Sequence, residues 1–203
     1  MKKILLIATI GALLVGPSVV YAQVSDDATV QANVLDFIFI AVSSATRDFG
    51  NVTPDSVGSG TDVGDVTVTN PPTGLDASDL EPFGNIFEKD DPVTVLVIST
   101  KAYNIQISGT KSGTSNLPLE QLKIVDDDDP STPQSITTTA TDLADTGALD
   151  EQAGFKWDQF DFRLTVAPMI DANHDDNIDL SSETTPLSPG TYSVTVTFTV
   201  SQT

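Results

Sequence analysis

At 203 residues, with 29 acidic side chains against 9 basic ones, the chain carries a formal net charge of −20 and contains no cysteine. Such a charge repels nucleic acid and anionic lipid, so neither is an expected partner. Without disulfides, stability has to come from the core, from a metal or from neighbouring subunits, and the length suits one elaborated domain.

Met1-Lys2-Lys3 is a basic start, Ile4 to Val15 an apolar run, and Val20-Tyr21-Ala22 a small-residue cleavage pattern. This predicts a secretory signal peptide over residues 1–22 and a mature domain over residues 23–203. Cleavage leaves 7 basic residues against 29 acidic ones, a net charge of −22. No later segment is apolar enough to span a bilayer, so the expectation is a secreted protein at the cell surface with no membrane insertion. Abundant Thr, Ser, Val and Asp agree with an extracellular β protein.

From Ala28 the sequence alternates, with Val30, Ala32 and Val34 set against Thr29, Gln31 and Asn33. Residues up to Val42 then become apolar on both faces, the pattern of a strand buried between two layers. Arg47 to Pro54 reads as a short strand entering a turn, and Thr61 to Asn70 as another strand. Pro71 to Asp91 is a Pro-, Gly- and Asp-rich insertion with a helical turn at Asp76 to Leu80; loops this long are functional or disordered as a rule.

Val93 to Ile98 and Tyr103 to Ser108, joined by Thr100-Lys101-Ala102, are predicted to form a central hairpin. Leu117 to Val125 is a further strand, and Asp126 to Asp129 reads as a solvated acidic loop. Phe155 to Val166 is a strand with Trp157 among its core residues. Pro189 to Val200 closes the series. Tyr192, Val194, Val196, Phe198 and Val200 lie on one face and Thr or Ser on the other, which predicts a strand in the middle of the core. Together these elements predict an all-β fold: a single immunoglobulin-like antiparallel β-sandwich with long acidic loops.

Catalytic signatures are missing from the sequence. There is no Cys, the single His is His174 among Asp and Asn, and no Ser sits in a nucleophile elbow, so the chain is not expected to be an enzyme. One Trp and three Tyr supply few aromatic platforms for sugar binding. Asn51-Val52-Thr53 fits a glycosylation pattern, and Asn70 to Gly74 superficially resembles a wall-sorting signal but sits mid-chain and reads as a loop.

The sharpest local signal is Asp171 to Asp179. Asp171, Asn173, Asp175, Asn177 and Asp179 place oxygens at alternate positions, with Glu183 following. A hard cation wants six to eight oxygens, so the spacing resembles an EF-hand or dockerin loop and points to Ca2+ as the cofactor. Asp176 stands where the sharp turn prefers Gly, and Ser182 stands at the twelfth position. The alternative is a plain acidic hairpin loop.

The order of these motifs resembles secreted filament subunits with an immunoglobulin-like fold. They are the alternating Ala28 to Val34, then Asp48-Phe49-Gly50-Asn51-Val52-Thr53-Pro54, the segment around Tyr103, and the terminal Pro189 to Phe198. It is similar to the spore-coat-U-like pilins of archaic chaperone–usher systems and, more loosely, to TasA/camelysin-type fibre proteins and archaeal bundling pilins. That resemblance implies donor-strand assembly into a homopolymer, a pilus or biofilm-matrix fibre. Residues 23–34 would be the donor extension, with Val30, Ala32 and Val34 as its plugs. A monomeric calcium-binding cell-surface or adhesion module is the alternative function.

Overall fold

The computed structural model describes residues 32–33, 35–43, 46–53, 60–80, 83–113, 116–144 and 147–203. The chain divides into two units, residues 1–34 and residues 35–203, and the second carries every strand named here. In chain order these are β1 (Ile38–Val42), β2 (Thr61–Asp65), β3 (Thr67–Thr69), β4 (Asn85–Ser99), β5 (Tyr103–Gly113), β6 (Leu122–Asp126), β7 (Gln134–Ser135), β8 (Thr141–Asp142), β9 (Gly154–Val166), β10 (Asn177–Asp179) and β11 (Tyr192–Gln202). Short 3-10 turns at Ala77–Leu80 and Leu119–Gln121 are the helical elements among the described residues. The fold is all-β and sandwich-like.

Strand length follows strictness of alternation. β4, the longest, buries Val93, Val95 and Val97 on one face and half-exposes Leu96 and Ile98 on the other. It is the hub of a six-stranded sheet in the order β1-β4-β9-β6-β7, with β2 also paired to β4. A bulge between Lys89 and Val93 lets the long strand bend without losing its pairing to β9. The second sheet is β11-β5-β8, and the small parallel pair β10-β3 stands apart from both.

The expected hairpin between β4 and β5 does not form, because the two strands belong to different sheets. Ser99 Oγ donates to the Lys101 carbonyl at 2.7 Å and accepts the Lys101 N–H at 3.2 Å, closing a tight arch. Val93, Val95 and Val97 therefore share one core with Tyr103, Ile105 and Ile107 of the opposite layer. Both strands bury their apolar faces this way, each large side chain contributing about 1.5–3 kcal/mol. Phe87, Phe160, Phe162, Leu164 and Ile124 complete the first layer, and Leu119, Ile136 and Leu149 close the ends. β5 crosses the Leu119 and Ile136 side chains at Gly109, where a Cβ would come within 2.6 Å of Ile136 Cγ2. Only glycine fits so close an approach.

Three further expectations are corrected. Trp157 is not a core residue: it is 54% exposed, and Phe155 is 64% exposed. The apolar phase of β9 switches between Trp157 and Phe160. Since Phe160, Phe162 and Leu164 point inward, Phe155 and Trp157 must point out. β1 is likewise not buried between layers. Ile38 and Ile40 pack on the core while Phe39 is exposed. The Thr61–Asn70 stretch divides at buried Val66, giving β2 to the large sheet and β3 to the parallel pair.

A second, smaller core of Val66, Ala167 and Ile178, with Phe83, Ile86, Met169 and Leu180, forms where the β10-β3 pair packs. Lys123 of β6 is buried there, its Nζ 2.6 Å from Asp176 Oδ2. Further along the outer face Arg163 Nη2 pairs with Glu88 Oε2 at 2.5 Å.

Candidate functional site

β11 is the strand whose surroundings are incomplete. Its sequence is the most regular in the chain, yet its five inward residues, Tyr192 to Val200, are only half-buried. Opposite them on β5, Ile105, Ile107 and Gly109 are buried, whereas Lys111 and Gly113 at the near end are exposed. The expected central strand is therefore an edge strand. β11 bonds to β5 from Tyr192↔Gly113 to Gln202↔Tyr103, and among the described residues no strand pairs with its other edge.

Beside that edge lies a groove of about 1410 Å3. Its floor is Val93, Leu122, Phe162, Leu164 and Val166, one wall is Tyr192 to Phe198, and the other is residues 46–53 with Phe49 and Val52. Tyr192 and Phe198 are six residues apart, so the wall is about 20 Å long at ~3.3 Å per residue. The volume exceeds the roughly 300–1,000 Å3 of an ordinary small-molecule pocket. Tyr192 anchors the near end by donating its hydroxyl to the Pro118 carbonyl at 3.3 Å. Burial, and secondarily the Glu120 charge, raise that phenol's pKa, so it stays a neutral donor. Phe198 holds the far end against Phe160, ring centroids 6.4 Å apart.

An unpaired edge above an apolar slot offers main-chain donors and acceptors together with pockets for alternate side chains. That combination takes up an extended strand. Of the donor residues expected from the sequence, Val30 and Val34 lie outside the described residues. Ala32 is exposed and outside any strand.

The acidic loop is a closed ring. Asp171, only 1% exposed, accepts the N–H of His174 on Oδ1 at 2.6 Å and of Asp176 on Oδ2 at 2.9 Å. Buried Glu183 accepts the N–H of Ala172 at 3.1 Å and of Asp179 at 2.7 Å. Asn173 and Asp175 face solvent, and Asn177 Oδ1 is buried with no hydrogen-bond partner. Asp179 is held by Ser181 and by Asn70, hydrogen bonds that lower its pKa to about 2. Asp176 takes the positive φ of 60° that the turn requires, a conformation Asp tolerates. Its side chain ties the ring to the sheet through Lys123 and through Thr165, whose hydroxyl donates at 2.7 Å.

Sequence reasoning missed a second acidic group. Asp126 is the buried end of β6, not part of a solvated loop. Asp126, Asp128 and Asp158 bring carboxylate oxygens within 4.8 Å of one another, the one such trio among the described residues, and the Asp171 loop has no member in it. Asp126 Oδ1 accepts the Asp128 N–H, and Asp158 Oδ1 the Gln159 N–H, each at 2.8 Å. A cavity of about 310 Å3 adjoins the trio. Three carboxylates so placed are oxygen donors of the kind a hard divalent cation takes. The signal was present in the period: Asp126 continues Leu122 and Ile124, and Asp158 leads into Phe160 and Phe162.

On the outer face of β9, Asp161 is buried, and its pKa is raised from 3.8 to about 6. Burial is the largest cause. The Asp127, Glu88 and Asp90 charges add to it, and the Asp91 N–H at 3.3 Å opposes it. The folded state thus holds a proton that the unfolded chain has already lost between pH 4 and 6. Stability from this group is greatest below pH 4 and is lost as pH rises through 6. Asp161→Asn is expected to raise the Tm at pH 8 by roughly 2–8 °C, corresponding to about 1–2 kcal/mol, and to change little at pH 4. Calorimetry at the two pH values checks this; a gain at pH 4 equal to that at pH 8 removes the titration account.

Among the described residues no helix is long and apolar enough to cross a membrane. Comparisons of the chain with protein-family models, with curated proteins and with solved structures return no match.

Proposed function

We propose that this chain is a structural subunit of an extracellular filament, an immunoglobulin-like sandwich assembled head-to-tail by donor-strand complementation. The observation that carries the reading is β11, eleven residues of strand with an unpaired edge and a half-buried apolar face along the groove. The occupant is the N-terminal segment of the next copy, about residues 26–34, with Val30, Ala32 and Val34 filling successive pockets. Backbone hydrogen bonds to β11 supply affinity, and the alternate side chains supply register. A contact between one copy's N-terminus and another copy's groove is heterologous, so it propagates into an open fibre. It also covers an edge that would otherwise invite uncontrolled pairing.

Negative-stain electron microscopy of the exported, mature protein tests this. Filaments are expected, and a version lacking residues 23–34 is expected to remain dispersed. Filaments that persist after that deletion sink the donor assignment.

The Asp126, Asp128 and Asp158 trio favours a second reading, a calcium-binding surface module. Extracellular sites hold calcium with Kd on the order of 0.1–1 mM. Calcium at ten times Kd would then stabilise the fold by about 1.4 kcal/mol, roughly 3–6 °C in Tm. Asp158→Asn should abolish that shift if the trio binds, and Asp175→Asn should do so if the Asp171 loop binds. Identical melting in calcium and in chelator removes the reading.

A further inference from the structure

The outer face of the large sheet is closed at one end and bare at the other. At the closed end the β10-β3 pair forms its own small core with Ile86, and Asp176 reaches Lys123 and Thr165. At the bare end, register aligns Phe39, Ile98 and Phe155 in one row across β1, β4 and β9, and Ala41, Leu96 and Trp157 in the next. Phe37 continues the first strand, its carbonyl accepting the Thr100 N–H. Phe37, Phe39, Phe155 and Trp157 are 51%, 45%, 64% and 54% exposed.

Two features identify what covers this face. The first is area. At about 150–250 Å2 per aromatic side chain, the four rings leave roughly 300–500 Å2 in water. A standard-size interface takes ~800 Å2 from each partner, and at ~56–58% apolar about 450 Å2 of it is apolar, which falls in the same range. The second is charge. The chain carries −20, so most pairs of surfaces on two copies bring acids together. The aligned rows carry no charged residue at all. The rings also adjoin Leu96, Ile98 and Ala41, aliphatic neighbours that offer no hydrogen bonds to a sugar.

We infer that the aromatic face of β1, β4 and β9 is a lateral self-association surface, occupied by the same face of a second copy. β1 and β9 flank β4, so a two-fold axis over β4 lays the Phe39 side of one copy on the Trp157 side of the other. The contact is isologous and closes at two copies. It is separate from strand exchange at β11, and filaments formed there would pair side by side through it.

The test uses the full mature chain bearing Val30→Asp, Ala32→Asp and Val34→Asp, so that strand exchange does not contribute. Sedimentation velocity over rising concentration is expected to show a monomer giving way to a dimer. Trp157 is the single tryptophan, so its emission should shift to the blue as the dimer forms. Phe155→Ser should weaken the association at least tenfold, and Phe155→Ser/Trp157→Ser should leave a monomer. An unchanged Tm shows the fold intact, since both side chains are exposed. A protein that stays monomeric with the emission of a wetted indole overturns the inference, including one that then binds polysaccharide or lipid vesicles. A dimer that survives the double substitution overturns it equally.

Discussion

Val30→Asp, Ala32→Asp and Val34→Asp together are expected to abolish filaments and leave a folded, soluble subunit. The groove that would receive these positions is floored by Val93, Leu122, Phe162 and Leu164, and the one basic residue in its lining, Arg47, already binds Asp91 and the Pro92 carbonyl. A carboxylate pressed against that floor loses its water without gaining a partner, a penalty of several kcal/mol per charge. The same three charges on an undocked segment remain in solvent and cost nothing. Selective loss of assembly at unchanged Tm is therefore the signature. A synthetic peptide of residues 26–34 should then act as a surrogate donor. At a hundred times its Kd it would stabilise the variant by about 2.7 kcal/mol, roughly 5–11 °C in Tm. A scrambled peptide of equal composition breaks the alternation and should have no such effect. Filaments from the triple variant, or equal melting with both peptides, would falsify the assignment of this segment as donor.

The second large effect is expected at Lys123. This lysine is 4% exposed on β6, and among the described residues its counter-charge is Asp176, reached across from the acidic loop. Asp176 also accepts the Thr165 hydroxyl, donates its N–H to Asp171 and accepts the Thr67 N–H on its carbonyl at 3.0 Å. One residue thus joins β3, β6, β9 and the loop. Lys123→Met keeps the apolar stem but leaves the Asp176 carboxylate half-buried and uncompensated. Breaking such a pair costs about 2–3 kcal/mol here, which is a Tm lowered by roughly 4–12 °C. Lys123→Met/Asp176→Asn removes both charges and should recover most of the loss, because a buried pair contributes little net stability over a neutral one. A double variant as unstable as the single would show that packing of the loop, and not the charge, sets the cost.

The two acidic groups fit different parts of the physical picture. In the Asp171 loop the carboxylates of Asp171 and Glu183 are turned onto backbone N–H groups and are satisfied from within. In the Asp126 trio the oxygens converge on one another from β6, its following turn and β9. Spacing along the chain marks the first group. Only pairing of β6 with β9, with Asp126 opposite Phe160, assembles the second.

The strands themselves were legible in the residues, because side-chain period is a local property of the backbone. The alternation at Tyr192 to Val200, at Val93 to Ile98 and at Tyr103 to Ser108 appears as β11, β4 and β5. Even the exposure of Trp157 is written in the phase switch between Trp157 and Phe160, because the parity of β9 runs unbroken through it. What period cannot encode is the partner. Whether β4 turns back on β5 or arches to the facing layer depends on which arrangement buries both apolar faces, and that is settled by contacts far apart in sequence. The same holds for β11. Its sequence describes an apolar face and a hydroxyl face, but that one edge lies unpaired above a groove follows from how the other strands fill the two sheets.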